Sequence, residues 1–383
     1  MIDNMIERII NNKLITIIKA AFDLPYDLVD VSADEVKTLE VIAAKQSIIP
    51  IFKEGLKKMG YLDLLSESAI KSDAKCVYDY TQRKSSLDEI SDVFDRASIQ
   101  YVPLKGAVIC EYYPQPWMRS SSDIDVLIHE DDLDKAKKLL NTQSSFEYTN
   151  REQYDANFVN QYVHLELHFS LESSVVKIDN ALNDPWKHIV QTNNSYRCSF
   201  TPEYNLFYIL SHSAKHFIHN GGIGIRPILD IYVMKSHMEI DENKVIEFCE
   251  DAGIKGFYNE CCKLLDVWFN GANHDEVSRI FEDLVISGGV FGSKHLKIVS
   301  NKRKDSGKKY IRGRIFKTSE EIKNFHPRCR KYPVLIPFYQ IVRWTQVAKA
   351  RRPKEVLSEF KQADSIDKAE VEKYDKLMKA MGL

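Results

Sequence analysis

The sequence predicts an α+β protein, a small mixed sheet held between two helical regions. Three observations predict it. Short strand-like runs crowd into residues 99–172 of the 383. Apolar stripes at helical spacing fill the chain before and after them. No G-x-G-x-x-G and no Walker sequence occurs, which argues against a doubly wound nucleotide-binding sheet. The expected organisation is a helical region over 1–98, a sheet core over 99–172, a second helical region over 173–300, and a basic segment with terminal helices over 301–383.

In chain order, residues 1–22 carry Asp3, Glu7, Arg8 and Lys13 among apolar residues, so they read as an amphipathic helix rather than a signal peptide. Ser32-x-x-Glu35 has the form of a capping box and opens a helix through 41–44. Residues 48–56 and 61–80 carry further helical stripes. Strands are expected around Val102 and over 123–129, 146–149 and 162–169, with a crossover helix at 131–140. Helices are then expected over 203–217, 228–237, 245–252 and 257–269.

Composition sets wider bounds. A hydrophobic fraction of 44%, a charged fraction of 28% and a formal charge of −2 describe an ordinary globular chain with no overall pull toward nucleic acid or acidic lipid. The seven cysteines form no C-x-x-C pair, which points to reduced thiols and a cytoplasmic location. The uncharged run 332–342 has 11 residues, far below the ~20 that span a bilayer. Charge is uneven, however: residues 302–331 hold twelve Lys/Arg against three acids, a local balance of +9. Such a segment suits RNA, an acidic glycan precursor or anionic lipid, the last placing the protein peripherally at the inner membrane surface; it also suits a solvated loop.

The chemistry concentrates at Arg119-Ser-Ser-Ser-Asp123-Ile-Asp125. In a strand, Asp123 and Asp125 face one way while Ile124 and Val126 face a core. Two carboxylates aimed at one spot repel unless a cation lies between them, and oxygen ligands suit Mg²⁺. Two solvated acids at a strand end would give the same letters. Upstream, Lys105-Gly106 joins a short buried strand to an apolar segment; a glycine there lets backbone amides approach a phosphate, Lys105 adds a point charge and Arg119 a forked donor. Period-two alternation puts His164, Glu166 and His168 on one face. That face is open to three readings: a His-Glu-His transition-metal site, a solvated polar face, or a third carboxylate beside Asp123 and Asp125. His212 and His216 lie one helical turn apart, as a metal pair or as cleft and packing residues.

These segments in order, Leu104-Lys105-Gly106, Tyr113-Pro-x-Pro116, Arg119-x-x-x-Asp123-Ile-Asp125, Val163-His-Leu-Glu166-Leu-His168, His212-x-x-x-His216 and Gly224-Ile-Arg226-x-x-x-Asp230, resemble the uncharacterised bacterial nucleotidyltransferases of the DNA polymerase β superfamily. Members are commonly found in surface-polysaccharide and peptide-biosynthesis gene clusters. The resemblance implies a polymerase β-like core that transfers a nucleoside monophosphate from a triphosphate to a hydroxyl or phosphate acceptor, releasing pyrophosphate. It implies two Mg²⁺ ions, with Mn²⁺ acceptable, held by Asp123, Asp125 and Glu166. Lys105, the Gly106 amide, Arg119 and Ser122 would hold the β- and γ-phosphates, with His168, His216, Arg226 and Asp230 along the nucleotide or acceptor side. Arg226 and Asp230 also fit a plain i, i+4 ion pair. The wider superfamily opens its helix with Gly-Ser where this chain has Lys105-Gly106. Two further functions stay open: a toxin-like nucleotidyltransferase acting on tRNA or protein, for which the basic segment speaks, and a nucleotide-binding regulator without turnover.

Overall fold

The structure is a computed structural model that describes residues 2–171, 175–192, 195–290, 292–304, 317–319, 322–323, 326, 328–349 and 366–383. The basic stretch singled out at 302–331 therefore lies largely outside the described residues.

The N-terminal region is helical as expected. It comprises α1 (Ile2–Ala21), α2 (Ala33–Lys45), α3 (Ile49–Met59) and α4 (Glu67–Arg96). The Ser32/Glu35 capping box is formed, each side chain bonding the other's backbone amide, a device that contributes about 1 kcal/mol. The helix expected from residue 61 starts later: residues 62–64 make a 3-10 turn, and α4 opens where the Ser66 hydroxyl accepts from the Ala69 amide.

The sheet comprises β1 (Tyr101–Leu104), β2 (Asp123–Ile128), β3 (Glu147–Arg151), β4 (Asp155–Val159) and β5 (His164–His168), with the short α5 (Gly106–Ile109) after β1 and α6 (Leu133–Gln143) after β2. Its order is β1-β2-β5-β4-β3; β2 and β5 pair in parallel and every other pairing is antiparallel. This is a mixed sheet in an α+β fold, as the sequence predicts. β4 was not anticipated, because Asn157 hides its alternation: the residue is buried between Ala156 and Phe158, with its amide donating to Asp155.

One face of the sheet is apolar. Ile124, Val126, Ile128, Leu165 and Leu167 pack with Leu87, Ile90 and Phe94 of α4 and Leu133, Ala136 and Leu140 of α6. Each such side chain, fully buried, contributes roughly 2 kcal/mol. The opposite face carries the polar side chains and meets the second helical region. That region holds α7 (Val176–Ala181), the hairpin β6 (Ile189–Gln191) and β7 (Cys198–Phe200), α8 (Pro202–Asn220), α9 (Ile225–His237), α10 (Glu242–Asp251), α11 (Lys255–Phe269), α12 (Glu276–Ser287) and α13 (Lys294–Lys304). Later come α14 (Arg328–Lys331), α15 (Ile336–Lys349) and α16 (Lys368–Ala380). α1–α3 share one apolar core with α8–α12 and α16. Among the described residues, no helix is long and apolar enough to cross a membrane.

Gly55 sits where α3 crosses α1, and a Cβ there would meet the Ile17 carbonyl oxygen at 2.1 Å. Helix propensity alone would make Gly55→Ala stabilising by about 1 kcal/mol. We expect the opposite sign, a loss of roughly 1–3 kcal/mol from overpacking against backbone, read as a lower midpoint in urea unfolding.

Candidate active site

The polar face is built by strand pairing. In the parallel register Asp123 lies opposite His164, Asp125 opposite Glu166 and Leu127 opposite His168. Period two then sends Asp123, Asp125, Glu166 and His168 to the side away from the apolar core. One carboxylate or imidazole atom from each of Asp125, Glu166 and His168 lies within 4.8 Å of the others. Asp123 lies outside that triplet, two residues back on the same strand, and its Oδ1 accepts from the Ser121 hydroxyl at 2.6 Å.

Asp125 is 4% exposed and is compensated twice: Lys105 Nζ lies 2.7 Å from its Oδ1, and His168 Nε2 lies 2.8 Å from the same atom. Burial opposes ionisation, but the Lys105 charge and the His168 hydrogen bond outweigh it and hold the carboxyl well below the usual carboxylate range. Burial likewise disfavours the Lys105 ammonium, and the adjacent Asp125 charge reverses that and raises it. His168 is raised too, its hydrogen bonds to Asp125 and Glu166 outweighing burial.

The face forms the floor of a cleft whose roof comes from α8 and α9. One lobe, roughly 260 Å³, is lined by Lys105, Arg119, Ser121, Asp123, Asp125, Glu166, His216, Arg226 and Asp230 among others. A second lobe of roughly 200 Å³ shares Lys105, Glu166, His212 and His216 with the first and adds His168, Asp155, Tyr208 and Lys215. Tyr208, His212, Lys215 and His216 recur at helical spacing, so α8 presents one face to the acids. The sequence reading singled out the two histidines; the same spacing would have found Tyr208 and Lys215. His212 and His216 approach each other at 3.1 Å through their Nε2 atoms. Burial and the nearby Lys105 charge push His212 well down, while burial and Lys215 take His216 to about 4. Among the described residues they belong to no cluster suited to a metal.

Several expected phosphate contacts take a different form. Ser122 is exposed and lies outside both lobes, whereas Ser121 lines the cleft; the period-two rule applied to Asp123 and Asp125 selects Ser121. Gly106 is not the residue with unusual backbone. Lys105 has φ +47°, a strained position for a side-chain-bearing residue, and it occurs at the turn where the lysine reaches Asp125. Gly106 is needed for space: a Cβ there would lie 2.5 Å from Arg119 Nη1. α5 has only four residues, too short for the helix terminus to act as the expected anion site. Arg119 is 7% exposed and directs its fork at Asp230, Nη2 to Oδ2 at 2.9 Å and Nε to Oδ1 at 3.2 Å, with the Tyr113 hydroxyl donating to the same carboxylate at 2.7 Å. Arg226 donates to the Ser120 carbonyl at 2.9 Å, and burial with the neighbouring Arg119 charge lowers its guanidinium to about 10. Arg83 of α4, absent from the sequence expectations, donates to the Ser121 carbonyl.

A mixed sheet thus aims acids from two parallel neighbours into a helix-roofed cleft. The family model described as "Uncharacterised nucleotidyltransferase" matches residues 32–270, more than half of the chain, and the chain belongs to that family. No curated protein matches the chain. Among solved structures, the chain is similar to the antibiotic-resistance factor ANT(2'')-Ia, whose solution structure is described as revealing substrate-regulated conformation dynamics. The likeness covers 50% of this chain and 99% of that chain, at 10% identity and a TM-score of 0.35.

Two outcomes test the geometry. Asp230→Ala leaves Arg119 buried without its carboxylate and should destabilise the fold by about 3–5 kcal/mol in urea unfolding, far more than Arg119→Met with Asp230→Leu together. The lowered histidines set a pH dependence. His216 is neutral in the folded chain down to about 4 but takes a proton near 6.5 when unfolded, so stability is full above 6.5 and falls as pH drops toward 4. His216→Gln should flatten that fall in Tm.

Proposed function

We propose that the protein is a divalent-metal-dependent nucleotidyltransferase, moving a nucleoside monophosphate from a triphosphate onto a hydroxyl or phosphate acceptor with release of pyrophosphate. The observation that carries this reading is the register of β2 and β5, which sets Asp125 against Glu166 beside Lys105 and His168. The donor set fits a small divalent cation: two carboxylates and an imidazole gathered within 4.8 Å, with Asp123 on the same strand face. Asp123, Asp125 and Glu166 would hold Mg²⁺, and the His168 nitrogen makes Mn²⁺ an acceptable occupant. Bound there, the cation neutralises charge developing on the triphosphate and the entering oxygen.

The chain's own residues do the rest. The acceptor oxygen attacks the α-phosphorus; the bond from that phosphorus to the bridging oxygen breaks, and pyrophosphate leaves with the electron pair. Glu166, with 30% of its side chain exposed, takes the proton of the entering hydroxyl. Lys105, held 2.7 Å from Asp125, would supply a positive charge to the phosphates beside the acids. Arg226, Lys215 and His216 line the cleft and would meet a second substrate group, with the region 173–300 covering the core 99–172. Arg119 acts by fixing Asp230 rather than by touching phosphate.

Asp123→Asn combined with Glu166→Gln, both partly exposed, should cut transfer by about 10³-fold or more with little change in the melting curve, whereas Asp125→Asn would also leave the buried Lys105 without its carboxylate. The measurement is incubation of protein and cell extract with each labelled triphosphate and Mg²⁺ or Mn²⁺, followed by mass analysis of whatever gains a nucleotide. Undiminished labelling by the double variant would remove these acids from the mechanism.

A further inference from the structure

Away from the cleft, the chain carries a feature that nucleotidyl transfer does not use. From residue 322 to residue 354 there are nine Lys/Arg and no Asp or Glu, in a protein whose formal charge is −2. Within this stretch α15 follows a 3-10 turn at Pro333–Leu335. Val334, Phe338, Ile341 and Trp344 recur at steps of four, three and three, which makes one helical stripe. That stripe faces solvent: Val334 is 83% exposed, Phe338 58%, Ile341 56% and Trp344 39%, with Tyr332 at 52% just before it.

Isolated exposed apolar residues are commonplace, but large ones aligned along one helix mark a surface that meets something. The charge says what. Arg328, Arg330 and Lys331 are exposed immediately before the stripe, with Lys331 Nζ 5.6 Å from the Tyr332 ring centre. Arg343 falls between Ile341 and Trp344 in the sequence. An RNA partner would use the cations and leave the stripe in water. A second protein could cover the stripe, but would also need acidic groups to meet Arg328, Arg330 and Lys331 beside it. A bilayer with anionic headgroups answers both features, taking apolar side chains to the acyl boundary and cations at the phosphates.

We infer that residues 328–345 form a peripheral docking surface for membranes containing anionic lipid. The helix lies in the interface plane, with Phe338, Ile341 and Trp344 inserted and Arg328, Arg330 and Lys331 at headgroup level. The inference stands independently of the chemistry proposed for the cleft, and its test involves no nucleotide.

The full-length protein is floated with vesicles of phosphatidylcholine alone and of phosphatidylcholine mixed with phosphatidylglycerol, at low and high salt. The expected result is about tenfold or more enrichment on the anionic vesicles, weakened by salt. Phe338→Ser with Ile341→Ser should abolish the enrichment without changing Tm, since both side chains are exposed. Arg330→Glu with Lys331→Glu should reduce it while leaving the apolar stripe in place. Failure to float with either vesicle overturns the inference, as does binding that the apolar pair does not alter. Retention by RNA without vesicle binding would reassign the cations. A concentration-dependent dimer that the apolar pair abolishes, again without vesicle binding, would reassign the stripe to a second copy.

Discussion

The structure depends on setting one carboxylate against another. β2 and β5 run parallel with Asp125 opposite Glu166, and Asp125 is almost entirely removed from water. A buried, isolated carboxylate is costly enough that it would normally give up its charge. Here Lys105 and His168 both address the same oxygen, and the carboxyl stays ionised. The positive partners are as constrained as the acid. Lys105 accepts a backbone angle that few side-chain-bearing residues adopt, and Gly106 must lack a side chain because Arg119 passes beside it.

The helical roof follows from the same charges. α8 faces the acids with Tyr208, His212, Lys215 and His216, and both histidines are driven toward the neutral form by burial and by Lys105 or Lys215 nearby. The roof therefore offers neutral nitrogen atoms beside one well-compensated carboxylate, with the remaining cations spaced around the cleft. Such a surface suits a ligand that brings its own negative charge, as the proposed triphosphate does.

The sheet and most helices were legible in the sequence, since period-two and period-3.6 patterns survive wherever one face is apolar. β2 and β5 read cleanly because Ile124, Val126, Leu165 and Leu167 all point to one core. β4 did not, because a buried asparagine satisfied by Asp155 stands where an exposed polar residue would be expected. At the site, the acids lie on the β2/β5 pair and Lys105 in the turn after β1, so each could be placed from local pattern. Strand alternation puts Ser121, rather than Ser122, on the side of the acids. The engagement of Arg119 by Asp230 could not be read locally, because it joins residues 111 apart in sequence across two regions of the fold.

That long-range bond has a counterpart that explains how the cleft keeps its shape. Gln46, fully buried at the end of α2, donates to the carbonyls of Val285 and Ile286 at the close of α12, and its Oε1 accepts from the Ile225 amide at the start of α9. A Cβ on Gly224 would collide with that oxygen at 2.1 Å, so the approach demands glycine. One amide side chain thus satisfies the ends of two helices that lack intrahelical partners. The start of α9 is also where Arg226 and Asp230 are delivered to the cleft, and Asp230 then grips Arg119 in the loop before β2. The N-terminal helices, although distant from the acids, set the position of α9 through Gln46, and α9 sets the position of the loop through Asp230. The residues matched by the family model, 32–270, take in Gln46, Ile225 and Asp230 together.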